Sequence, residues 1–110
     1  MERVDCLIAA GRMCVLAGQG PWLIGSARSD VPIVEFDRRV RVTRLGDGVE
    51  LSDLDGEPIA ARGLRRARQT LMAGDAAIIG RSPVLAATLA EPGSARWQRM
   101  IAAGPRSFAQ

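Results

Sequence analysis

Lysine, histidine, tyrosine and asparagine are all missing from this 110-residue chain. Without imidazole, no side chain has an ordinary titration near neutrality. Without lysine there is no amine for a Schiff base, and without tyrosine no phenol. Aromatics are scarce at 4%: Trp22, Phe36, Trp97 and Phe108. The core must be built from Leu, Ile, Val, Met and Ala, which predicts a thin core that leans on self-association. Long apolar runs are missing too, and no stretch approaches the ~18 apolar residues a membrane span needs. The start, Met1-Glu2-Arg3-Val4-Asp5, does not read as a signal peptide, because Asp5 and Arg12 interrupt its apolar stretch. The chain reads as cytoplasmic, with no membrane partner.

Cysteine is nearly absent as well. Cys6 and Cys14 are too few for a disulfide framework, and too few for a zinc site without histidine. With a three-residue loop at Ala9-Ala10-Gly11 they fall opposite each other, where a cross-strand disulfide is conceivable. In a reducing cytoplasm the plainer reading is two small buried hydrophobes.

What is present is arginine. All 15 basic residues are Arg, and the net charge is +3. A G/C-rich genome accounts for Arg in place of Lys. It does not account for position. Eight arginines lie between residues 38 and 68, with only five acids among them: Asp47, Glu50, Asp53, Asp55 and Glu57. That local surplus equals the net charge of the whole chain.

The apolar patterning predicts one α+β domain over 1–110, mainly β over about 1–54 and mainly α over 58–104, with a loose tail at 105–110. Residues 4–9 and 12–17 read as a first hairpin, and Trp22-Leu23-Ile24 as a short strand. Pro32 opens another strand, with Ile33, Val34 and Phe36 following. Val40–Leu45 and Val49–Ser52 alternate around Gly46-Asp47-Gly48 and read as a second hairpin. A three-residue loop there sets Leu45 opposite Val49, Arg44 opposite Glu50 and Arg41 opposite Asp53. Pro58 starts a helix that runs to Ala73 and stops at Gly74. Residues 75–80 form a strand or buried connector. Ser82-Pro83 caps a short helix to Ala90, and Ser94 caps a last one with Trp97, Met100 and Ile101 on one face. The expected architecture is an antiparallel sheet of two hairpins, covered by the amphipathic helix and the short C-terminal helices.

On a helical period Arg62, Arg65, Arg66 and Gln69 share one face, opposite Ala60, Leu64, Ala67 and Leu71. That positive stripe is the candidate binding site. It suits an acidic protein surface, ion pairs within an oligomer, or phosphates. A solvated face that keeps the domain soluble is the plain reading of such a stripe. No aromatic lies between Phe36 and Trp97 for bases to stack on. The segment Asp53-Leu54-Asp55-Gly56-Glu57 fails as a calcium loop, because its register puts Leu51 first and Arg62 twelfth. Ser–Lys pairs, G-x-S-x-G and glycine-rich phosphate loops are missing.

The expectation is a non-enzymatic binding or regulatory module, with no cofactor and no metal. It acts through protein–protein contacts, with another protein or with itself as a homodimer. The alternative is a nucleic-acid-associated protein using the same arginines. A small hydrolase or transferase subunit with carboxylate chemistry is a third, weaker reading. A protein-contact module predicts an exposed apolar patch beside the arginines. A nucleic-acid binder predicts one continuous positive surface, and an enzyme a deep pocket with at least two carboxylates.

Overall fold

The computed structural model describes residues 3–16, 19–26 and 28–88. Among them the chain forms eleven strands in two sheets. The six-stranded sheet has the order β2 (Arg12–Val15), β1 (Cys6–Ala9), β11 (Ser82–Ala87), β10 (Ala76–Ile79), β7 (Ile59–Ala61), β8 (Leu64–Arg66). The five-stranded sheet has the order β4 (Val31–Pro32), β3 (Trp22–Gly25), β5 (Arg39–Leu45), β6 (Gly48–Asp53), β9 (Arg68–Leu71). Neighbours are antiparallel except β3 and β4. A 3₁₀ turn, Val34–Phe36, is the one helical element among the described residues.

Over the described residues the expected α+β class is therefore corrected to all-β, and the part of the expected mainly α half that is described, 58–88, to strands. The expected helix from Pro58 to Ala73 is β7, β8 and β9. Ala, Leu, Arg and Gln are good helix formers, but burial overrides that local preference. Ile59 and Leu71 are fully buried in the shared core, while Leu64, assigned to the helix's apolar face, is exposed. The break lies at Arg62-Gly63, where both residues have positive φ, +50° and +77°. Ala61 pairs with Leu64 around them, as in a two-residue type I′ hairpin. The expected helix at Ser82-Pro83 is β11. Pro83 is tolerated there because the β1–β11 ladder ends at Val84, one residue away. The expected strand after Pro32 is only Val31–Pro32, followed by the 3₁₀ turn that drives Phe36 into the core. The expected last helix with Trp97, Met100 and Ile101, and the tail, lie outside the described residues.

Both expected hairpins form, each with a two-residue loop. In the second, Gly46 has φ +61° and Leu45 pairs with Gly48. The register is therefore one residue from the expected one. Arg44 faces Val49, Thr43 faces Glu50 and Arg41 faces Ser52, so the expected cross-strand ion pairs do not exist. In the first, Ala10-Gly11 is the loop, and Cys6 faces Val15 while Leu7 faces Cys14. Adjacent side chains of a strand point to opposite faces. Cys14 therefore enters the main core, and Cys6 joins a separate cluster with Val15, Ile8, Met13 and Ala87. They cannot pair without unmaking the sheet.

Burial pushes both thiols up from 9.0 to about 11. Both should resist a thiol reagent in the native state near pH 8 and react only on unfolding. Because burial penalises the thiolate, stability should be unaffected by these groups below about pH 9, where folded and unfolded thiols are both protonated, and should fall as pH climbs toward 11 and only the unfolded thiols ionise. Rapid native labelling of either thiol by Ellman's reagent would contradict this.

Candidate functional site

The two sheets pack face to face around Leu7, Ile24, Phe36, Val42, Leu51, Ile79 and their neighbours. This leaves each sheet an outer face, and the two differ in chemistry. On the six-stranded sheet the registers line up Met13, Ile8, Leu85 and Ala76 in one outward row. Pro83, Ile78, Ala60 and Arg65 form the next row. This face is apolar until it reaches Arg65 on the edge strand β8. Its open part is on β10 and β11, where Ile78 is 49% and Leu85 40% exposed.

The sequence-predicted residues Arg62, Arg65, Arg66 and Gln69 do not share a face. Arg62 sits in the β7–β8 turn and pairs with Asp75 at 3.0 Å. Arg65 is opposite Ala60 on the outer side, while its neighbour Arg66 is opposite the buried Ile59. Gln69 is buried, and its side-chain amide donates to the Ile59 carbonyl at 2.7 Å and the Leu64 carbonyl at 3.0 Å. It ties β9 of one sheet to β7 and β8 of the other. Arg65, Arg66 and Arg68 lie on edge strands, where charge discourages pairing with a foreign strand.

Other arginines of the 38–68 surplus are also structural. Arg44 donates to the Val4 carbonyl at 2.9 Å and the Leu16 carbonyl at 3.0 Å, and lies 5.6 Å above the Trp22 ring. It clamps the two segments flanking the first hairpin to the five-stranded sheet, and its burial lowers its pKa, with Arg3 adding to the effect. Arg38 donates to the Pro58 carbonyl and lies 3.6 Å from the buried Asp53 carboxylate. The other Asp53 oxygen accepts the N–H groups of Asp55 and Glu57, so the acidic 53–57 segment is a turn built on one side chain.

The outer face of the five-stranded sheet is cationic. Arg41, Ser52 and Arg68 are aligned across β5, β6 and β9. Arg39 lies two residues from Arg41 on the same side of β5. Beside Arg41 is an open cavity of about 200 Å³ lined by Pro21, Trp22, Leu23, Asp30, Arg41 and Leu54. Among the described residues there is no group of three or more metal-ligating side chains, and no helix is long and apolar enough to cross a membrane.

No protein-family model, no curated protein and no solved structure matches this chain. What the protein does must therefore be read from the fold and its two outer faces.

The residues that sequence reasoning missed are Ile78 and Leu85. Their signal was present. Ala76-Ala77-Ile78-Ile79 and Val84-Leu85-Ala86-Ala87 are apolar at every position. An antiparallel strand that is apolar on both faces has something to cover on each side.

Proposed function

We propose that this domain is a non-enzymatic binding module that acts through protein–protein contacts, made by the outer face of its six-stranded sheet. The observation that carries the reading is the exposure of Ile78 and Leu85, in register with each other's neighbours and bordered by Arg65. Apolar side chains in that arrangement gain free energy when a partner removes them from water. Adjacent strands are ~4.8 Å apart and alternate residues ~6.7 Å apart, so the two rows cover only a few hundred Å². A stable complex buries about 800 Å² per partner. The patch is therefore the centre of an interface whose rim includes Arg65, rather than the whole of it.

A second copy of the chain is the first partner to test, because an apolar face is complementary to itself. Sedimentation velocity from about 10 to 500 μM is expected to show a concentration-dependent mass that Ile78→Glu and Leu85→Glu lower toward the monomer, weakening association about tenfold or more. Circular dichroism should be unchanged, since both sites are open. A wild type that is monomeric throughout, and indistinguishable from both variants, would remove self-association and leave only a foreign partner.

The nucleic-acid alternative has less support, since Arg62, Arg65 and Arg66 point in different directions. Mixed-sequence DNA and RNA binding at about 50 and 200 mM salt separates the two readings. Binding that falls steeply with salt and vanishes in an Arg62/Arg65/Arg66→Glu variant would replace the protein-contact reading.

A further inference from the structure

Among the described residues, the cationic outer face of the five-stranded sheet has no ion pair that uses its charge. The side chains of Arg39, Arg41 and Arg68 make no hydrogen bond or ion pair among the described residues, unlike those of Arg38, Arg44 and Arg62. Arg41 and Arg68 stand on either side of Ser52, two strand gaps or about 10 Å apart. Arg39 is about 7 Å along β5 from Arg41. Three fixed positive charges thus lie within one side-chain reach of a common centre, and Ser52 offers a hydroxyl between two of them.

The adjoining cavity adds an apolar element. Leu23 and Leu54 flank it, and Arg41 forms part of its wall. Its volume of about 200 Å³ is below the range of about 300 to 1,000 Å³ expected for a small-molecule pocket. It is sized for a single side chain of a larger partner. We infer that this face docks an acidic protein segment, one apolar side chain entering the Leu23–Leu54 cavity and carboxylates beside it meeting Arg39, Arg41 and Arg68.

Charge on the same face favours a peptide over a nucleic acid. Glu50 lies one row from the arginines, between Thr43 and Thr70, and Asp30 lines the cavity. Both repel phosphates and carboxylates alike, but a peptide can turn its acidic side chains toward the arginines and its N–H groups toward Glu50 and Asp30, which a phosphate backbone charged at every nucleotide cannot do. Asp30 already accepts one such group, the Leu23 N–H at 2.8 Å. The inference concerns the opposite side of the sandwich from the apolar face, and stands or falls separately from it.

The test uses the full chain and three fluorescein-labelled probes. These are a 12-residue peptide with a central Leu flanked by Glu, the same peptide with Gln for Glu, and a 12-nucleotide DNA strand. The acidic peptide is expected to bind at least about tenfold more tightly than its Gln counterpart, with affinity falling as salt rises. Its amide shifts in NMR titration should centre on Arg41, Ser52, Leu54 and Arg68. Arg41→Glu and Arg68→Glu should each weaken binding about tenfold, while Arg81→Glu, the same charge change in the β10–β11 turn, weakens it less than about twofold. Glu50→Gln should tighten binding, a gain that misfolding cannot imitate. Equal binding of the Glu and Gln peptides overturns the inference. So does tighter binding of the DNA strand, or shifts centred on the other sheet.

Discussion

Gly25→Ala is expected to cost about 3–6 kcal/mol, the largest effect of a methyl added at any of the described glycines. Two penalties combine. Gly25 has φ +130°, a backbone conformation that side-chain-bearing residues rarely adopt. A Cβ there would also run into the Arg38 carbonyl oxygen, and that atom cannot turn aside as a side chain can. The same oxygen accepts the Ser26 N–H at 3.0 Å, and Gly25 pairs with Arg39, so the clash falls where β3 is laced to β5. A domain of this size is stable by only about 5–15 kcal/mol. At about 4–8 °C per kcal/mol, the melting temperature should drop by at least about 12 °C, if the variant folds at all. Gly63→Ala is the control. It shares a positive φ, but a methyl group at Gly63 would meet nothing within 4 Å, so only backbone strain is added. A Gly25→Ala protein as stable as Gly63→Ala would show that β3 does not approach Arg38 as described.

Gln69→Ala should cost about 2–4 kcal/mol, with no direct role of Gln69 in binding. The side chain is 4% exposed, and its amide serves carbonyls on β7 and β8. Truncation removes both donors and opens a void where the two sheets meet. Urea unfolding measures the loss as a lower midpoint. Arg65→Ala and Arg66→Ala, on the exposed edge strand, should stay within about 0.5 kcal/mol of wild type. If Gln69→Ala melts with those two variants, its hydrogen bonds do not bridge the sheets, and Gln69 belongs with the arginines as a surface residue. The contrast tests whether the sequence's one apparent binding stripe is partly structural.

The reason for the misread stripe is specific. Residues 59–71 satisfy a helical period as well as a strand period, since Ala60, Leu64, Ala67 and Leu71 fall on one helical face. Only Arg62-Gly63 marks a break, and Gly63 alone is tolerable within a helix. Two-residue hairpins recur at Ala10-Gly11, Gly46-Asp47 and Gly80-Arg81, each with a glycine at positive φ. Seen as a series, these turns argue for strands throughout 59–87. The hairpins at 6–15 and 39–53 were legible because their alternation had no helical competitor. Their registers were not, because one residue of loop length reverses which side chains face the core. That reversal separates Cys6 from Cys14 and breaks the expected Arg44–Glu50 pair.

Composition by itself determined that imidazole, lysine and phenol chemistry are excluded, that the core is mostly aliphatic, and that arginine carries all the positive charge of the side chains. These follow from which side chains exist, whatever their arrangement. Tertiary structure alone decided the pairing of β1 with β11, the burial of Gln69, the division of the arginines between clamps and open surface, and the gathering of Arg39, Arg41 and Arg68 on one face. Each of these joins residues that are distant along the chain or on different strands. Their contact depends on sheet order and register, and those are set by how two half-apolar sheets bury their inner faces together.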